Sequence, residues 1–253
     1  MTDQSRHLER VDWWPSAQHP PNLDEWPFTI PVVAQIVSER GLEIPAGITF
    51  LIGENGSGKS TLVEALAAVY PRRGFVTKFV HKTGPEPSDE DSPLRWHLKA
   101  RTHPRASPAG FFLRSELMHD YLADVDTGIG TESRGTAWGD ETLQARSHGE
   151  SFLAVLRLRF AEVGVYFMDE PEAALSFSSC LGLVSLLDQM RREGSQVIVA
   201  THSPLLMSLP GATLLEVGEW GIRRVESYDE VELVRSWRDF LAAPGRYLRH
   251  LID

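Results

Sequence analysis

A single cysteine, Cys180, occurs among the 253 residues, so no internal disulfide can staple the chain. A lone thiol in an apolar helical pattern reads as a small core residue rather than a nucleophile. Long apolar runs are also missing. Val163 to Met168 and Gln196 to Ala200 are the most continuous, far short of the roughly 20 residues that a membrane-crossing helix requires. The opening MTDQSRHLERVDWWP carries charges and tryptophans where a secretory leader needs an unbroken apolar stretch, which predicts a cytoplasmic chain. Positive charge is not in excess. The net charge of -10 and pI near 5.4 give an average field that repels phosphate backbones and weakens any case for non-specific nucleic-acid binding. The local clusters Lys99, Arg101, Arg105 and Arg223, Arg224 are small and read as solvated surface charge. No internal repeat is visible. What remains, 42% hydrophobic and 24% charged residues, is the composition of a globular protein, and the length suits one compact domain over 1–253.

Between Phe28 and Ile52 short β-rich runs, FTIPVVAQIV and then GLEIPAGITFLI, alternate with turn residues and read as strands. A helix is predicted from Lys59 to about Tyr70, with Leu62, Leu66 and Val69 on one face and Pro71 ending it. The proline-rich acidic stretch Gly84 to Pro93 reads as an exposed loop, Ala109 to Glu116 as a buried strand, and Gly128 to Asp140 as a glycine-rich polar segment. Helical pattern resumes near Glu150. VGVYFMDEPE is a continuous apolar run that ends in two carboxylates, as a central parallel strand delivering acids at its C-terminal edge would be. A helix from about Ser178 to Glu193, closed by Gly194, leads to a second such strand, SQVIVATHSP, which ends in a histidine. Thr213 to Val217 and Gly221 to Val225 suggest a hairpin, and helices interrupted at Pro244 and Gly245 follow.

Gly53-Glu54-Asn55-Gly56-Ser57-Gly58-Lys59-Ser60 fits GxxxxGK[ST] and lies between a predicted strand and a predicted helix, the context that motif needs. Its glycines let backbone N–H groups turn inward around phosphate oxygens, and the helix N-terminus adds a favourable dipole. Lys59 is expected to reach the β and γ phosphates, Ser60 to ligate magnesium and Thr61 to touch the α phosphate. Asp169 would hold the magnesium shell and Glu170 would act as general base on the attacking water.

Ser147-His148-Gly149-Glu150, ahead of an amphipathic helix and before the Asp169 strand, resembles the LSGGQ signature of ABC ATPases in an SxGE form. Taken alone the same tetrapeptide is also a helix capped by Ser147. The resemblance runs from about Phe28 to Val217. It implies that Ser147 and Gly149 of one subunit bind the γ-phosphate held by another's P-loop, that His202 is the switch histidine contacting that phosphate, and that Ala174-Leu175-Ser176 is the D-loop. Two departures stand out. The usual Q-loop glutamine is absent, with Arg114, Ser115 or Glu116 in its region, and the adenine-stacking aromatic is unassigned, Trp26 and Phe28 being candidates. Within the class the chain resembles small stand-alone predicted ATPases related to the heads of chromosome-maintenance and DNA-repair ATPases, but only about 30 residues separate Arg114 from the signature, too few for a heptad arm.

That resemblance implies an α/β P-loop NTPase fold of ABC ATPase type, a mixed sheet flanked by helices with a short helical subdomain near 115–160. It also implies ATP and Mg2+ as ligands, hydrolysis to ADP and phosphate, and a head-to-tail homodimer that sandwiches the nucleotide. Three alternatives stay open. The chain could be the nucleotide-binding subunit of an ABC transporter, a regulatory or defence ATPase gating an effector protein, or a DNA-repair ATPase.

Overall fold

The computed structural model describes residues 6–71, 92–114, 153–154, 156–157, 160–249 and 251. The expected signature residues Ser147 and Gly149, and most of the acidic loop and all of the glycine-rich stretch, lie outside the described residues. One of the two sheets is small and antiparallel. Strand β1 (Leu8–Trp13) pairs with β2 (Gly41–Glu43) on one side and β4 (Leu98–Thr102) on the other. The larger sheet has the order β5–β6–β7–β3–β8–β9, using β3 (Ile48–Ile52), β5 (Gly110–Arg114), β6 (Val165–Asp169), β7 (Gln196–Thr201), β8 (Thr213–Gly218) and β9 (Gly221–Val225). All pairings in it are parallel except the β8–β9 hairpin, so the expected mixed sheet is present.

Every residue of β3 is buried, which explains its unbroken apolar sequence ITFLI. Ile48, Phe50 and Ile52 face one core with Leu183, Leu187 and Met190 of helix α3 (Phe177–Glu193). Leu51 faces the other with Val32, Val33 and Ile36 of α1 (Pro31–Ser38) and Leu62 and Leu66 of α2 (Lys59–Val69). Each such side chain contributes about 1.5–3 kcal/mol on burial, so helices on both faces hold the sheet rigidly. As the sequence predicts, α3 ends at Gly194, whose φ of 99° suits a residue without a Cβ. Helix α4 (Pro204–Met207) and the C-terminal α5 (Glu232–Ala242) and α6 (Pro244–Leu248) complete the described chain.

Two features differ from the sequence reading. PVVAQIVS forms α1 rather than a strand: Pro31 opens the helix, and Val32, Val33 and Ile36 bury one face, so packing overrides the β preference of valine and isoleucine. Two strands of the small sheet, β1 and β4, have no counterpart in the sequence reading. The small sheet is fixed to the large one by Gln196, fully buried, whose Oε1 accepts from His7 N (2.9 Å) and Leu8 N (2.7 Å) and whose Nε2 donates to Leu8 O (2.9 Å) and Pro45 O (2.8 Å). Donors and acceptors of that amide are all matched, which lets a polar side chain sit between two sheets without cost.

Candidate functional site

The C-terminal ends of β3, β6 and β7 lie side by side, because Ile52 pairs with Thr201 and Asp169 with Ala200 in the parallel register. In an open α/β sheet this edge is where ligands bind. From β3 the chain enters the loop Gly53 to Gly58. A Cβ on Gly53 would lie 2.2 Å from Val217 O, and one on Gly58, at φ 99°, would lie 2.5 Å from Ile30 Cγ2, so the loop closes this tightly only with glycine at both positions. Gly56 points its missing side chain into open space. Ser57 Oγ is buried and, among the described residues, has no hydrogen-bond partner. A concave loop with a free hydroxyl at the start of α2 is the chemistry of an anion cradle.

Lys59 is buried, and its ammonium donates to Glu54 O at 2.8 Å across the loop. Burial pushes its pKa below the ordinary lysine value, while Glu170, Asp169 and Glu172 pull the other way. Ser60 Oγ donates to Asp169 Oδ1 at 2.9 Å, joining the loop to β6 across 109 positions of sequence. Hydroxyl and carboxylate oxygens of this kind suit magnesium, which usually takes one or two protein ligands and completes its shell with water and phosphate oxygens. No cluster of three or more His, Cys, Asp or Glu that could cage a metal occurs among the described residues.

Burial raises the pKa of Asp169 above the ordinary carboxylate value, with the Ser60 hydrogen bond opposing. Its charged form therefore costs the fold. That penalty is absent below the ordinary carboxylate range and sets in as pH rises through it toward the raised value. Asp169→Asn removes the charge and keeps an acceptor for Ser60. The ligand-free variant is expected to resist denaturant better than the parent at pH 7, the gap closing in acid where Asp169 is protonated anyway. Addition of MgATP should then stabilise the parent more than the variant, and paired urea titrations read both effects.

Glu170 follows directly, held by Glu170 N donating to Ala200 O at 2.9 Å, with φ 46° and ψ 51°. That left-handed conformation is uncommon outside glycine and clusters at functional positions. His202 directly follows β7, and its Nε2 lies 3.1 Å from Glu170 Oε1. The residues expected from sequence on three separate strands thus meet at one edge. Ala174-Leu175-Ser176 leads from a short 3-10 turn into α3, where Ser176 caps the helix by accepting from Ser179 N at 3.3 Å.

Two residues escaped the sequence reading. Glu172 Oε1 accepts from Thr201 Oγ1 at 2.5 Å and His202 N at 2.7 Å. Glu64, on α2, pairs with Arg114 at 2.6 Å, and the guanidinium of Arg114, opposite Asp169 in register, offsets part of that carboxylate's burial. The only prior signal was the last acid of DEPE and an arginine ending a buried strand. Phe28 is not available to stack a base, since it is buried edge-on against Trp13 and His97. Trp26 is 59% exposed.

A family model described as "AAA domain, putative AbiEii toxin, Type IV TA system" matches residues 151–208. Among curated proteins, the cytochrome c biogenesis ATP-binding export protein CcmA of Rhodospirillum rubrum is 30% identical over 177 residues, 68% of this chain and 74% of its own. The chain belongs to the ABC-type P-loop ATPases. The ribose import ATP-binding protein RbsA of Bacillus cereus is 27% identical over 221 residues, 78% of this chain but 43% of its own, so the chain spans less than half the length of that relative. An ABC transporter solved in an inward-facing conformation shares the fold at TM-score 0.50 and 15% identity, with 89% of this chain and 85% of that one covered. No helix among the described residues is long and apolar enough to cross a membrane.

Proposed function

We propose that the chain binds MgATP at Gly53 to Thr61 and hydrolyses it to ADP and phosphate. The observation that carries this reading is the Ser60–Asp169 hydrogen bond at 2.9 Å, with Glu170 and His202 on the strand ends beside it. Lys59 exchanges its bond to Glu54 O for the β and γ phosphates, and backbone N–H groups of Glu54 to Ser60 cradle the remaining oxygens. Ser60 and Asp169 would hold magnesium, which would supply positive charge beside the phosphates. Glu170 accepts a proton from the attacking water, and His202 contacts the γ-phosphate. The expected partner is a second copy of the chain, each supplying Ser147 and Gly149 to the other's nucleotide head-to-tail, in a cytoplasmic single-domain protein over 1–253. Phosphate release from ATP by the purified chain tests the reaction: chelating the magnesium should abolish it, and release that persists without metal would defeat the assignment of Ser60 and Asp169.

The import and export relatives favour one second reading, the ATP-binding subunit of a transporter. No glutamine stands in the region of Arg114, Ser115 and Glu116, where the usual Q-loop glutamine would couple to a membrane partner, which favours the first. Co-purification with an integral membrane protein from the native cell would reverse that preference. The toxin-system wording of the matching family supports, more broadly, a regulatory or defence ATPase gating an effector.

A further inference from the structure

The turn after β6 and the turn after β7 are tied together by one carboxylate. Glu172 sits two residues beyond Glu170 in the short 3-10 turn Pro171–Ala174, which is closed by Ala173 N donating to Glu170 O at 3.0 Å. Its Oε1 accepts from two donors on the neighbouring turn, the Thr201 hydroxyl at 2.5 Å and the His202 backbone N–H at 2.7 Å. Thr201 Oγ1 in turn accepts from Ser203 N at 3.0 Å. Hydrogen bonds to a carboxylate are short and about twice as strong as neutral ones, so this arrangement fixes the backbone on both sides of His202. The other oxygen, Oε2, is buried without a hydrogen-bond partner among the described residues. The hydrogen bonds of this side chain are thus those of Oε1, and they converge on the turn that carries the histidine.

We propose that Glu172 is a positioning residue for His202: it orients the turn 201–203 so that the imidazole faces Glu170 at 3.1 Å. A side chain of this length is needed here because a single oxygen must accept two donors from one turn, which a shorter side chain from the same backbone would not reach. The kinetic half of the proposal rests on the ATPase reading; the geometric half does not.

The test uses the full chain with MgATP and a second readout on the imidazole. Glu172→Ala should lower kcat by about tenfold, the scale of one lost charge-assisted hydrogen bond, and leave KM near parental because the P-loop is untouched. Glu172→Gln keeps an Oε1 acceptor in place and should retain most of the rate. If Glu172 acts through His202, adding Glu172→Ala to His202→Ala costs nothing further, whereas independent roles would add. By NMR, the His202 imidazole resonances, assigned by their loss in His202→Ala, should move in Glu172→Ala and in Thr201→Val, and stay put in Glu172→Gln and Thr201→Ser. Thr201→Val removes one donor and serves where Glu172→Ala fails to fold. Parental kcat in Glu172→Ala, additive losses with His202→Ala, or unmoved His202 resonances in Thr201→Val would each overturn the proposal. A parent that releases no phosphate would instead overturn the ATPase reading, and the resonances alone then decide the role of Glu172.

Discussion

Lys59→Ala should lower affinity for MgATP by on the order of 10²-fold while the ligand-free protein unfolds at or above the parental Tm. The loss follows from two or more charge-assisted contacts to phosphate oxygens, each worth about 1.5–3 kcal/mol, with 1.4 kcal/mol per tenfold change in affinity. The retained stability follows from the lysine's surroundings. Its ammonium is buried and held by one backbone carbonyl, and burial lowers its pKa despite three nearby carboxylates. A group whose folded pKa lies below its unfolded value favours the unfolded state until pH rises past the ordinary lysine range. Alanine removes that penalty at neutral pH and retains helix propensity at the start of α2. Calorimetric titration with MgATP, paired with thermal unfolding, separates the two effects. Parental affinity would show that the loop is not the nucleotide site, and a large fall in Tm would show that Lys59 is a structural residue.

What the sequence made legible was what short stretches encode alone. The loop Gly53 to Ser60 carries its own turn chemistry, so strand, loop and helix appear where the motif implied. The apolar runs ending in Asp169-Glu170 and in His202 are central strands, and parallel pairing brings their ends together. Gly194 marked the end of α3 for the same local reason. The features that escaped notice depend on distant partners. Strand β1 is stabilised by Gln196, which lies 189 positions from His7, and nothing in LERVDW announces that pairing. Helix α1 was misread because its valines and isoleucine are strand formers that tertiary burial turned into a helical face. Nothing in the sequence sets Glu172 apart, because its partners Thr201 and His202 lie 29 and 30 positions on. Phe28 was misjudged because its burial depends on Trp13 and His97, which come together only in the fold.

Glu170→Gln should lower turnover by about 10² to 10⁴-fold, the usual cost of losing a general base, while MgATP affinity holds. Glutamine keeps the size of glutamate and no more resists the left-handed φ of 46° than glutamate does, so the backbone turn that carries it is preserved. Alanine would be a poorer probe, since it also empties the space beside His202, whose Nε2 lies 3.1 Å from the lost carboxylate. Ser60 and Asp169 are left untouched, with their 2.9 Å hydrogen bond, so magnesium binding should survive. The variant therefore holds ATP without consuming it, and if nucleotide is shared between two copies, holding ATP holds the pair together. Light scattering should show a shift from monomer to dimer when MgATP is added to Glu170→Gln, and a weaker or transient shift for the parent. Ser147→Arg in the same background should block the shift, because a bulky cation at the predicted helix start opposes both the helix dipole and close approach. Parental turnover in Glu170→Gln would mean that another group orients the water. A double variant that still dimerises on ATP would leave SHGE as no more than a helix cap and would remove the signature, though not the P-loop, from the proposed mechanism.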